Sequence, residues 1–286
     1  MRQFYFVNND GQRYQLQNGT TKTFLWEPGG LGFEYDIDYK ESDGFFFNMN
    51  TAVAQVAKTG TLVFHGTDPY SDYKALMDYL AKSTGLRLAY APKNNWYYVD
   101  IDVESVDKTE IELDGTLQCS IVMMPKTPFY LPYELNIDLS GDVSTDLKKY
   151  DYEYDYRYGN SSVGGEVEFS FDAQMDSGLE IIINGSVSAP VVEFFADGEQ
   201  IGEIDLSSAS ASVGEYIRYS SIPTSAGVYK YASGTETEIT SQIGLNASYP
   251  TFFMIPPNKT IKAVLSATSL TGVTASIKVY EYFRSV

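Results

Sequence analysis

The stretch YDYEYDYRYG at residues 150–159 places a tyrosine at every second position, with a charged residue at each position between. Side chains on a strand alternate faces, so the five rings fall on one side and Asp151, Glu153, Asp155 and Arg157 on the other. Three uses fit such a strand: a platform for a sugar, an acidic comb for a metal, or one strand of a sandwich with its aromatic face packed. The third is expected, because Arg157 interrupts the acids and no loop ligand accompanies them.

The same period of two recurs in RQFYFV, TFLWE, FEYDIDY and GTLVFH, each bounded by Gly, Asn, Asp or Pro. One segment departs from it. In DPYSDYKALMDYLAKSTG, Tyr73, Leu76, Met77 and Leu80 stand at i, i+3, i+4 and i+7, the apolar stripe of an amphipathic helix. Asp68 suits the cap, Pro69 the first helical position, and Gly85 a left-handed stop. LRLAYA, the turn PKNN and WYYVDIDVESV then read as a hairpin, with Val99, Ile101 and Val103 on one face and Asp100, Asp102 and Glu104 on the wet one. The three prolines of PKTPFYLP remove ladder donors and are expected to end the sheet. This places a domain boundary near residue 131, giving domains 1–131 and 132–286. The second half reads as strand after strand, with ADGEQ and NG as turn signals, which suggests a β-sandwich or jelly roll.

Charge excludes one class of function. Twenty basic against 38 acidic side chains give a formal charge of −18, so a grip on nucleic acid has the wrong sign. The single cysteine, Cys119, sits in the alternating run LQCSIVM, a half-buried strand position. The amino terminus lacks the apolar core of a signal peptide, and no run of about 18 apolar residues occurs, so no membrane insertion is expected.

Little in the chain points to chemistry. Nucleophilic triads need an imidazole, and His65 is the one histidine. Carboxylate sets such as Glu34, Asp36 and Asp38 lie along one strand, whereas a glycosidase pair flanks a cleft. Neither a Cys/His cluster nor a calcium loop is present, so no metal or cofactor is expected. The 24 tyrosines and 16 phenylalanines suit cores and subunit interfaces, and secondarily a carbohydrate-binding adhesion module recognising cell-wall glycan.

The order of FLWEPGGLGFEYD, TGTLVF, DPYSDYKALMDYL, LRLAY, WYYVDIDVESVDKTEI and DGTLQCSIVMMPKTPFY resembles the distal tail proteins of siphophages that infect Gram-positive bacteria. The second half is similar to the family's galectin-like carboxy-terminal sandwich through YDYEYDYRYG, APVVEFFADGEQIGEIDL and YPTFFMIPPNK. This resemblance implies a mainly β fold: an N-terminal β-sandwich ring domain with one α-helix and a β-hairpin, and a C-terminal galectin-like β-sandwich of jelly-roll type. It also implies a non-enzymatic hub at the tail tip of the virion, assembled in the host cytoplasm as a homo-hexameric ring. Its partners would be the major tail tube protein, the tail-associated tip protein and receptor-binding or baseplate proteins, with DNA passing through without specific binding. Trp26, Tyr70 and Trp96 are candidate interface anchors. Asp100, Asp102 and Glu104, or the segment FEYDIDYKESDG, are candidates to border the channel and repel phosphate.

Overall fold

A computed structural model describes residues 2–17, 22–139 and 163–286, so the tyrosine ladder at 150–159 lies outside the described residues. The chain divides into two compact units, Met1–Leu131 with Phe283–Val286, and Pro132–Tyr282. Both are β-sandwich in character, and the described residues contain a single α-helix.

The first unit carries β1 (Gln3–Asn8), β2 (Arg13–Gln15), β3 (Thr23–Gly29), β4 (Tyr35–Ser42), β5 (Phe45–Val53), β6 (Lys58–Phe64), α1 (Pro69–Lys82), β7 (Leu86–Ala91), β8 (Tyr97–Lys108) and β9 (Leu117–Pro125), and the start of β10 (Phe129–Ile137). Strand β8 organises it. Its first residues pair antiparallel with β7, which leads to β1 and β2, while the remainder pairs with β9, which leads to β6 and β3. A bulge between Val103 and Ser105 lets one strand serve both ladders by increasing its local bend. Leu62, Phe64, Leu88, Ile101 and Cys119 fill the core beneath, fully buried together with Leu76 of α1. Burial pushes the Cys119 thiol up, away from reactivity.

The helix forms where its sequence places it. The Asp68 carboxylate accepts from the Ser71 backbone N–H at 3.1 Å, and Pro69 opens the first turn. The stop differs from expectation. Ser83 is the cap, in an extended conformation with its N–H on the Leu80 carbonyl, and Gly85 at φ +72° turns the chain into β7 two residues later. PKTPFYLP does not end strand structure either. Strand β10 resumes at Phe129, contains Pro132, and touches β8 through the pair Tyr130 and Tyr98. Pro125 closes β9 and Pro128 precedes Phe129, so Pro132 is the one donor missing inside β10.

The second unit holds β11 (Val163–Phe169), β12 (Met175–Ser188), β13 (Val191–Ala196), β14 (Glu199–Asp205), β15 (Ser210–Ala211), β16 (Tyr216–Ser220), β17 (Gly227–Ala232), β18 (Thr235–Glu238), β19 (Ile261–Ala267) and most of β20 (Ser269–Phe283). One sheet runs β18–β17–β16–β12–β20, with β15 also on β12, and the other runs β11–β19–β13–β14. Alternate residues of both meet in one core, with Ile181, Ile217 and Ile277 from the first and Phe194, Ile204 and Leu265 from the second. The signal ADGEQ is a turn, with Asp197 and Gly198 at positive φ between β13 and β14. NG at 184–185 is not. It is a bulge inside β12, where Gly185 at φ +116° passes so close to β20 that a Cβ would lie 2.6 Å from the Gly272 carbonyl oxygen.

Candidate functional site

The least satisfied part of the first unit follows from YDIDYKES–DG–FFFNMNTAV. Asp43 and Gly44 take φ +54° and +81°, the left-handed pair that a two-residue hairpin turn demands, and they join β4 to β5 as a two-stranded sheet of its own. Its register gives the arm two unlike faces. Tyr35, Ile37 and Tyr39 on β4 share a face with Val53, Thr51, Asn48 and Phe46, the parity of β5 being shifted by a bulge at Met49. Asp36, Asp38 and Lys40 share the other with Ala52, Asn50, Phe47 and Phe45.

Neither face is covered. Phe45, Phe46 and Phe47 are 69, 70 and 54 % exposed, and Tyr39, Met49 and Val53 are exposed with them. An isolated two-stranded hairpin is marginal in water, and a contiguous apolar surface of this kind marks an interaction site. The root, by contrast, is fixed. The buried Lys58 ammonium donates to the Gly30 carbonyl and lies 5.1 Å from the Phe129 ring centroid; desolvation lowers its pKa below the usual lysine range. The Ala54 N–H bonds the Glu34 carbonyl at 2.9 Å, and Arg284 donates to the Tyr35 hydroxyl at 2.5 Å. The result is an arm held at its base and bare along its length.

The three acids of β8 fare unequally. Val99 and Ile101 are buried and Val103 half-buried, so Asp100, Asp102 and Glu104 do lie on the opposite side of the strand. Asp100, however, accepts from the Tyr130 hydroxyl at 3.0 Å, and burial together with that charge pushes the phenol well above its ordinary range. Asp102 is paired with Lys126 at 2.9 Å. Glu104 is exposed.

Of the aromatic candidates, Trp26 is 48 % exposed on β3, its ring edge-on to Phe24 at 6.4 Å, and Phe24 in turn meets His65 at 5.5 Å. Tyr70 is exposed at the first turn of α1, where its hydroxyl donates to Glu110 at 2.6 Å and the Lys108 ammonium lies 4.8 Å from its ring centroid. That bond to Glu110 raises the phenol pKa. Trp96 is half-buried against Tyr5 at 4.5 Å, in a satellite cluster with Val7, Ala89 and Tyr98. The residues missed by sequence pattern are those of β5, whose FFFNMNTAV does not alternate cleanly; the Asp43–Gly44 pair between two aromatic runs was the signal for them.

On β16 and β17 of the second unit the surface aromatics pack against one another and against an arginine. Tyr216 and Tyr231, cross-strand partners on β16 and β17, stack at 4.8 Å and 3°. Arg218 is bonded to Glu236 at 2.8 and 2.7 Å and to Glu180 at 3.4 Å, and lies 4.3 Å from the Tyr229 ring centroid. Among the described residues no three His, Cys, Asp or Glu side chains converge as metal ligands, and no helix is long and apolar enough to cross a membrane.

Residues 3–126 match the family described as distal tail protein, N-terminal domain. A comparison with curated proteins found no match. Among solved structures, the chain resembles one from the phage p2 baseplate in its activated conformation with strontium, at 18 % identity, TM-score 0.68 and full coverage of both chains. It also resembles the SPP1 Dit protein, a hub of the adsorption apparatus in phages that infect Gram-positive bacteria, at 10 % identity, TM-score 0.58, and coverage of 97 % of this chain and 98 % of that one. At these identities the likeness establishes the fold.

Proposed function

We propose, for a chain whose first unit belongs to the phage distal tail protein family, that six copies close into a ring at the tail tip. Its place as a structural component of the distal tail or baseplate hub is the premise; the ring, its channel and its partners are the proposal. The observation that carries it is the arm of β4 and β5, which leaves Phe45, Phe46, Phe47 and Tyr39 in water while its root is fixed. Such a surface is stable in an assembly and costly outside one.

The first unit supplies the ring in this reading. One face of the ring seats on the major tail tube protein and the other takes the tail-associated tip protein, while the second unit, a galectin-like sandwich, carries receptor-binding or baseplate proteins. DNA passes through the centre without specific contacts. With Asp100 and Asp102 already engaged by Tyr130 and Lys126, the acids left to border the channel are Glu104 and, on the charged face of the arm, Asp36 and Asp38. Carboxylates there repel phosphate over about 8 Å at physiological salt. Incubation of the purified chain with purified tail tubes tests this. Six-fold caps at one end of the tubes, seen in electron micrographs, are expected; bare tubes alongside folded protein would overturn it.

A further inference from the structure

A ring closed by rotation joins two different patches on each subunit, and the arm is one of them. The second can be located if the ring reading holds, because the chain carries 38 acidic side chains against 20 basic ones and copies that met through their acids would repel. A contact poor in acids on both sides avoids this.

One sheet face meets this condition. On the outward side of β3, β6 and β9, Trp26, Thr61 and Ser120 form one row and Phe24, Val63 and Gln118 the next, Val63 being already buried in the single chain, with Thr59 and Val122 beyond. None of these eight side chains is ionisable. The nearest acids stand at its margins: Glu27, exposed after Trp26 on β3, and Asp107 on β8, opposite Ser120. Charge depletion with an aromatic residue is the composition of an interface core. The arm matches it: Ile37, Tyr39, Phe46, Asn48, Thr51 and Val53 are also uncharged, with Glu41 opposite Phe46 toward the tip. The arm is also long enough to cross it. Nine residues of β5 reach about 30 Å at roughly 3.3 Å each, whereas three adjacent strands span about 10 Å at roughly 4.8 Å spacing. Within a single chain Phe46 and Trp26 are both exposed, so the arm does not cover its own sheet.

We propose that the arm of one copy lies by its Ile37–Tyr39–Phe46 face on the outward face of β3, β6 and β9 of the next copy. The other side of the arm, where Asp36 and Asp38 lie beside Phe45 and Phe47, takes no part in this contact.

A charge-pair exchange in the full chain tests the pairing, with assembly mass as the readout. Tyr39→Glu and Thr61→Lys each place a lone charge in the contact and are expected to lower the assembled fraction at least ten-fold at fixed concentration. The double variant, with opposite charges now facing each other, is expected to restore it. Tyr39 is exposed and Thr61 partly exposed, so near-ultraviolet circular dichroism of each variant should remain that of the parent. If Tyr39→Glu abolishes assembly and Thr61→Lys leaves it intact, the arm docks elsewhere; the ring survives and this pairing does not. A parent chain that never assembles removes the ring and the pairing together. Oxidation of a Tyr39→Cys, Thr61→Cys double variant gives a second reading, since native Cys119 is fully buried. A covalent ladder up to six copies supports the pairing, and its absence from assembled rings refutes it.

Discussion

Two antiparallel ribbons of this protein expose tyrosine and phenylalanine in opposite ways. On β16 and β17, Tyr216 stacks on Tyr231, Tyr229 lies under Arg218, and Glu236 completes the set. On β4 and β5, Phe45, Phe46, Phe47 and Tyr39 meet nothing of comparable extent. Both are aromatic and both alternate. The difference is that β16 has β12 on its other side and β17 has β18, whereas β4 and β5 pair only with each other. A ribbon embedded in a sheet can satisfy its surface locally; one that leaves its sheet has to find a partner.

The largest expected effect separates the two ribbons by assembly. Replacing residues 33–53 with a short Gly/Ser turn should reduce the protein to single copies by light scattering, whereas Tyr231→Ala should leave the assembly mass unchanged. The reverse outcome would assign the interface to the second unit. Stability gives a second contrast. Phe194→Ala, at a fully buried position, should cost about 3–5 kcal/mol in denaturant unfolding. Phe47→Ala, half in water, should change the unassembled protein by less than about 0.5 kcal/mol. Equal costs would mean that the arm is packed in the single chain.

A smaller effect concerns pH. Glu281 is 7 % exposed on β20, and burial, reinforced by the charge of Asp172, pushes it up to about 6 from an ordinary 4.5. The folded state therefore binds the proton more tightly than the unfolded chain. Its contribution is gained as pH falls from about 6 toward 4.5 and lost as pH rises through that window, by up to about 2 kcal/mol. Glu281→Gln should abolish this step and raise stability at pH 7; an unchanged pH profile would show that the carboxyl is solvated. The smallest effect is local to α1. Asp68→Ala removes the acceptor of the Ser71 N–H and should cost about 1 kcal/mol.

Much of the fold was legible because its signals are local. The stripe of Tyr73, Leu76, Met77 and Leu80 and the cap at Asp68 specify α1 without tertiary help, and period two specifies β6, β8, β13 and β19. What misled were residues whose meaning depends on a distant neighbour. Asn184–Gly185 has the chemistry of a turn, and it is a bulge because β20 passes over Gly185. The candidate site was legible only in part. Alternation puts Asp100 and Asp102 on a wet face, yet Tyr130 and Lys126, about 25 to 30 residues away in sequence, bind them. Trp96 reads like Trp26 in isolation; Tyr5 buries one, and nothing comparable covers the other. The arm was announced by Asp43–Gly44 but hidden by three consecutive phenylalanines, since a strand exposed on both faces has no reason to alternate.

The proposed six-membered ring is built by the uncovered arm. The mass of the purified full chain in solution, followed from nanomolar to high micromolar concentration, tests it most directly. A concentration-dependent species of six times the 31.9 kDa chain, lost in Phe46→Asp, is expected. A folded single copy at every concentration, or a hexamer indifferent to Phe46→Asp, would contradict it.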